Sequence, residues 1–221
     1  MESIEKAQEV ILKEITSDNS DVRSEYLEMF GKEIESFSNS MAQAYIKWKE
    51  FDNEINGDER RAMVSAVVYS AISLNIASLS VFLSGHTVAS GNLMRQVCES
   101  IALALLCSGK TLNVLDRYRD DKYSTTVAVR DVIRHAKALS LHGDALEVLK
   151  NSQEFYHKYS HVTNMTIAIG MSFSQKGALY VGASFDEGKI DIYKKEVAGR
   201  VSLAGVFTNF VEGVSSNVSK W

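Results

Sequence analysis

Arg95 and Glu99 are the only charged residues between Arg61 and Lys110. They stand four positions apart, so on a helix they share one face. Leu93, Val97, Cys98, Ile101 and Leu105 surround them, and a charge in such a helix is costly unless paired. The pair either sets helix register as a buried ion pair or lines an internal polar site, where costly buried charges concentrate. A second group is Tyr156-His157-Lys158-Tyr159-Ser160-His161, in a chain where four of the five histidines fall between 135 and 161. His157 and His161 are again four apart, with Glu154 one turn away. Two histidines so placed can hold a divalent metal if a third ligand arrives, act as a general base, donate hydrogen bonds to a phosphate or carboxylate, or simply sit at a helix end. No carboxylate or cysteine cluster completes a metal shell, so neither a metal nor a cofactor is expected. The third group is Arg130-Asp131-Val132-Ile133-Arg134-His135. Arginine stabilises charge on a phosphorane and histidine transfers protons, so Arg130 with His135 suits RNA cleavage; the plainer reading is an exposed basic helix face.

The elements that must carry these residues are helices. The chain of 221 residues contains no proline, which suits long uninterrupted helices. Amphipathic spacing predicts helices over about 2–16 and 22–51, a turn at Asn56-Gly57-Asp58, and a further helix over 59–83. From Ala62 to Met94 no residue is charged, which raises the question of a membrane span. The serines within it, Asn75 and the lack of a flanking basic cluster beyond Arg60 and Arg61 favour the central helix of a bundle. Helices are further expected from Thr87 to about Cys107, across 112–141 as one or a pair, on to about Ser160, and over 190–217.

Between the last two the period changes to two. Ile167, Ile169, Met171 and Phe173 alternate with small or polar residues, as do Leu179, Val181, Ala183 and Phe185. This predicts a β-hairpin within about 166–185, with a five-residue loop pairing Phe173 with Leu179 and Met171 with Val181.

A net charge of −4 and a pI near 5.8 argue against a dedicated nucleic-acid binder, though a local basic patch remains compatible with them. Cys98 and Cys107 can form neither a disulfide framework nor a zinc knuckle, and the acidic start of the chain has no apolar run after it. A reducing, cytoplasmic setting without membrane insertion is expected.

These motifs resemble an uncharacterised bacterial helical family, related to the HEPN superfamily in architecture. Its members carry R-x-x-x-E on a central helix, then a helix-ending motif like L-S-x-x-x-H-P-S, a short extended segment and a C-terminal helix. Arg95-Gln96-Val97-Cys98-Glu99 fits the first motif. Tyr156 to Thr163 fits the second loosely, with His161 at the histidine position and Thr163 at the final hydroxyl, while Tyr156, His157 and Val162 depart from it. The resemblance covers roughly residues 60–215. It implies a helical bundle with a polar Arg95, Glu99 and His161 site in a defence or toxin–antitoxin setting, with Tyr156, His157 and Thr163 as binding residues beside it. Arg130 and His135 separately match the R-x4-H motif of HEPN ribonucleases, in which Arg and His meet across a dimer and cleave RNA with the ribose 2′-OH as nucleophile.

The expectation is therefore a mostly α fold of about six or seven helices with a small β-hairpin before the C-terminal helix. Residues 1–57 would pack as N-terminal helices on a 58–221 bundle, forming one structural domain. Two functions follow: a HEPN-like RNA-processing or defence protein, as a homodimer acting on RNA or held by an antitoxin-like protein, or a non-catalytic binding module whose Arg95–Glu99–His161 network is structural or holds a small anion.

Overall fold

Two charge-poor helices make the centre of the molecule, a computed structural model that describes residues 3–141 and 143–221. α3 (Glu59–Leu83) starts at Asp58, whose carboxylate accepts hydrogen bonds from the Arg60 and Arg61 amides. α4 (Thr87–Ser108) returns alongside it after a turn at Ser84-Gly85-His86. Gly85 has a φ of +85°, and a Cβ there would lie 2.6 Å from the Ser184 amide nitrogen, so only glycine fits this turn. The last eight residues of α4, Ile101–Ser108, are all buried. α3 is different: Val64, Val68, Ala71, Ile72, Leu79 and Phe82 are buried, while Ala62, Ala66, Tyr69, Ser73, Ile76 and Ser80 form an exposed, uncharged stripe. Among the described residues α3 is the one helix long and apolar enough to cross a membrane by length and composition, a test that core helices also pass.

The other helices pack around this pair. α1 (Ile4–Thr16) leads into α2 (Ser20–Asn53), which lies along α3 and bends at Phe30, whose φ of −122° leaves the helical region. α5 (Val114–Arg119), α6 (Ala128–His135) and α7 (Asp144–Tyr156) wrap α4, with a 3-10 turn at His157–Ser160 extending α7. The expected 190–217 helix is two, α9 (Ile190–Gly205) and α10 (Phe207–Val218), broken at Val206. α9 and α10 close the core against α2 and α4.

The mostly α expectation holds, but the hairpin does not form: no strand or sheet is present among the described residues. Residues 164–169 are instead helical, as α8 (Asn164–Ile169). The cause is local. Thr163 and Thr166 form a reciprocal capping box, each side chain accepting from the other's amide, and this starts a helix where the alternation suggests a strand. Further on, the amides a strand would need are diverted. The Phe173 and Ser174 N–H groups donate to the Asp186 carboxylate at 2.7 and 3.2 Å, and Gln175 N–H donates to Ser172 Oγ. What remains is one antiparallel bridge between Met171 and Leu179, two residues out of the expected register. Burial alone would raise the Asp186 carboxyl, but the amides of Phe173, Ser174 and Gly188 and the Lys189 ammonium overcome it and hold the group at about 2.

Candidate functional site

α4 presents Arg95 and Glu99 on one face, with Arg95 Nε donating to Glu99 Oε1 at 2.9 Å. Their side chains are 19% and 12% exposed, so the pair is partly buried and still reached by water. Glu99 stands at the wall of a cleft of about 480 Å³ between α3 and α4, to whose lining Tyr118 and Thr125 also contribute. Met63, Val67, Leu74 and Leu103 supply its apolar part, and Ser70, Gln96 and Ser100 add polar groups. Glu99 Oε2 takes only a long contact, 3.4 Å, from Thr125 Oγ1.

The histidines lie elsewhere. His161 is exposed, and among the described residues its side chain makes no hydrogen bond or ion pair with Arg95 or Glu99. It pairs with exposed His157 instead, ring centroids 5.1 Å apart, as the i, i+4 spacing of 157 and 161 allows. No group of three or more His, Cys, Asp or Glu suited to a metal gathers among the described residues. Thr163 is used up in capping α8. Arg130 and His135 sit exposed on α6, where Asp131 takes Arg130 at 3.4 Å, Arg134 at 3.6 Å and the Tyr123 hydroxyl at 3.1 Å. Cys98 and Cys107 are buried, which pushes both thiols up to about 12 and leaves them un-ionised at neutral pH.

Tyr156 belongs to a cluster that motif reading passed over. Glu196 and Arg200 of α9 are both 0% exposed and ion-paired, Arg200 Nη1 to Glu196 Oε2 at 2.5 Å. The Tyr159 hydroxyl donates to Glu196 Oε1. Arg200 also donates to Tyr156 OH at 3.2 Å and to Ser90 Oγ at 2.9 Å, and its guanidinium lies 4.7 Å from the Phe82 ring centre. Burial opposes the charge on Arg200, but Tyr156, Glu196 and Tyr159 outweigh it and hold the group protonated. Burial also drives both phenols well above the ordinary tyrosine range, so both remain donors. Gly91 of α4 makes room for this cluster: a Cβ there would sit 2.3 Å from the Tyr159 ring. A sequence signal did exist. Tyr193, Glu196, Val197, Arg200, Leu203, Ala204 and Phe207 form one helical stripe, and two charges stand inside it.

The chain matches no protein-family model, no curated protein and no solved structure. The Glu196–Arg200 cluster is closed and internally neutral, with Arg200 Nε its unpartnered donor. The Arg95–Glu99 pair is neutral but opens on a cleft. No histidine contacts either pair among the described residues.

Proposed function

We propose that the protein is a non-catalytic binding module whose ligand site is the cleft between α3 and α4, with the Glu196–Arg200 cluster as its structural support. The observation that carries this is the division of labour on Glu99. Oε1 is occupied by Arg95, while Oε2 takes the long contact from Thr125, and Glu99 and Thr125 both line the cleft. A carboxylate oxygen with hydroxyl and amide neighbours over an apolar floor suits a small molecule that donates hydrogen bonds, such as a primary amine or amide with an apolar body. It disfavours an anion, because Arg95 is spent on Glu99 and does not line the cleft.

The HEPN-like reading would need a second copy to bring the exposed Arg130 and His135 together on RNA. Thermal-shift measurements with small primary amines and amides, against phosphate and sulfate, separate the two. Amines should raise the melting temperature of the wild type and leave Glu99→Gln unmoved. Stabilisation by phosphate alone, or RNA cleavage that disappears in His135→Ala, would overturn the binding reading.

A further inference from the structure

The segment that does not become a hairpin is nonetheless held in place. The Tyr180 amide donates to the Gly170 carbonyl at 2.9 Å and Met171 bridges to Leu179, so residues 170–181 form a tongue. Two buried charges fasten it. Asp186 accepts from the Phe173, Ser174 and Gly188 amides, and Lys189 Nζ donates to the Ile169 carbonyl at 2.7 Å with the Tyr180 ring centre 4.8 Å away. Burying charge is costly, and here it orders a segment whose own apolar side chains stay in water. Met171 is exposed, and Leu179 and Val181 are 70% and 60% exposed. Val162, just before α8, and Ile167, on it, are 89% and 54% exposed. Apolar side chains held ready in this way suit recognition, because the cost of ordering them is met before the partner arrives.

The charge around these side chains selects the partner. The chain carries a net charge of −4, yet no Asp or Glu occurs from 155 to 185, where Lys158 and Lys176 lie with His157 and His161. Lys176 sits in the turn of the tongue, between Met171 and Leu179, and Lys158 in the 3-10 turn before Val162. Neither lysine joins an ion pair among the described residues. The acidic residues at the borders are occupied: Glu154 pairs with Lys150 at 3.8 Å, and Glu14 of α1 accepts from the Ala183 amide at 2.6 Å. Outward apolar side chains on turns, with free ammonium groups among them and no carboxylate, fit an anionic lipid surface. The aliphatic groups enter the boundary between headgroups and acyl chains, and the ammonium groups meet phosphate and carboxylate above it.

We propose that the tongue, with Val162 and Ile167 beside it, docks the protein on an anionic membrane surface, on which the molecule rests without crossing it. This goes beyond the cleft reading and does not depend on it, since none of these residues lines the cleft.

Flotation of the full chain with vesicles tests the docking. The wild type should float with vesicles of phosphatidylserine and phosphatidylcholine, and far less with phosphatidylcholine alone. Leu179→Ser/Val181→Ser alters exposed positions, so it should keep the helical circular-dichroism spectrum while weakening binding about tenfold or more. Lys158→Ala/Lys176→Ala should weaken it about thirtyfold. Both double variants should retain the melting-temperature rise with amines, so the docking and the cleft reading fail separately. A wild type that does not float with phosphatidylserine vesicles overturns the proposal. So does equal flotation with pure phosphatidylcholine, or binding that neither double variant weakens. A wild type that ignores vesicles but binds polyglutamate, and no longer does so as Lys158→Ala/Lys176→Ala, would assign the surface to an acidic polypeptide instead.

Discussion

Glu196→Ala removes both oxygens on which Arg200 and the Tyr159 hydroxyl close. Arg200 is 0% exposed, so water cannot take the lost place without opening the core. Breaking one side of a buried ion pair costs about 3–5 kcal/mol, because a charge is left without its partner. The stranded Tyr159 hydroxyl adds about 1 kcal/mol or more. The two losses share one cavity and one relaxation, so they do not simply add, and about 4 kcal/mol is expected overall. Against a domain stability of about 5–15 kcal/mol this is a severe loss. Urea denaturation followed by far-ultraviolet circular dichroism measures it, with an unchanged denaturant slope confirming that the transition is the same. The companion variant Glu196→Leu/Arg200→Met removes both charges and fills the space with apolar atoms. It should lie within about 2 kcal/mol of the wild type, since apolar replacement of a buried pair is often neutral. A Glu196→Ala loss under about 0.5 kcal/mol, or a double variant as unstable as the single, would refute the argument that an unpaired buried guanidinium is what costs.

Glu99→Ala should cost only about 1 kcal/mol in the same assay, because its side chain and that of Arg95 remain 12% and 19% exposed and the stranded guanidinium can hydrate; a loss above about 3 kcal/mol would mean the cleft is closed to water. Gly91→Ala should destabilise by about 2–3 kcal/mol and change the near-ultraviolet tyrosine signal, since its methyl group would press on the Tyr159 ring. Asp186 is held near 2 against an ordinary 3.8, so its contribution of about 2 kcal/mol is complete above pH 4 and drains away as pH falls from 3.8 toward 2. Asp186→Asn should forfeit it at neutral pH and flatten that part of a melting-temperature profile taken from pH 2 to 5; an unchanged acid limb would show that Asp186 does not set it.

Much of the fold was legible because its signals are local. The charge-free run after Arg61, the Asp58 cap and the glycine at 85 place α3 at Glu59–Leu83, where the spacing predicts it. The hairpin does not follow from the sequence because period-two alternation reports only which side chains would share a face. It does not report where the amides go. Phe173 and Ser174 donate to Asp186, more than ten positions downstream, and that carboxylate looks like a turn residue until the chain is folded. The exposed side chains of Met171, Phe173, Leu179 and Val181 are the residue of that unused pattern.

The two Arg–Glu pairs show the same limit at the level of the site. Arg95–Glu99 is conspicuous along the chain because nothing near it is charged, yet it is the more exposed of the two. Glu196–Arg200 is hidden by Lys194 and Lys195 immediately before it, yet it is sealed in the core. Charge-poor surroundings measure how rare a charge is along the chain; the helical stripe measures which way it points. The order of the residues agrees with the outcome. Glutamate before arginine at i, i+4 is the favourable orientation along a helix, and the buried pair has it; the cleft pair runs in the reverse order. The pair best matched within its own helix is the one closed off. The α4 pair is left partly exposed at the wall of a cleft, while the α9 pair is sealed in the core.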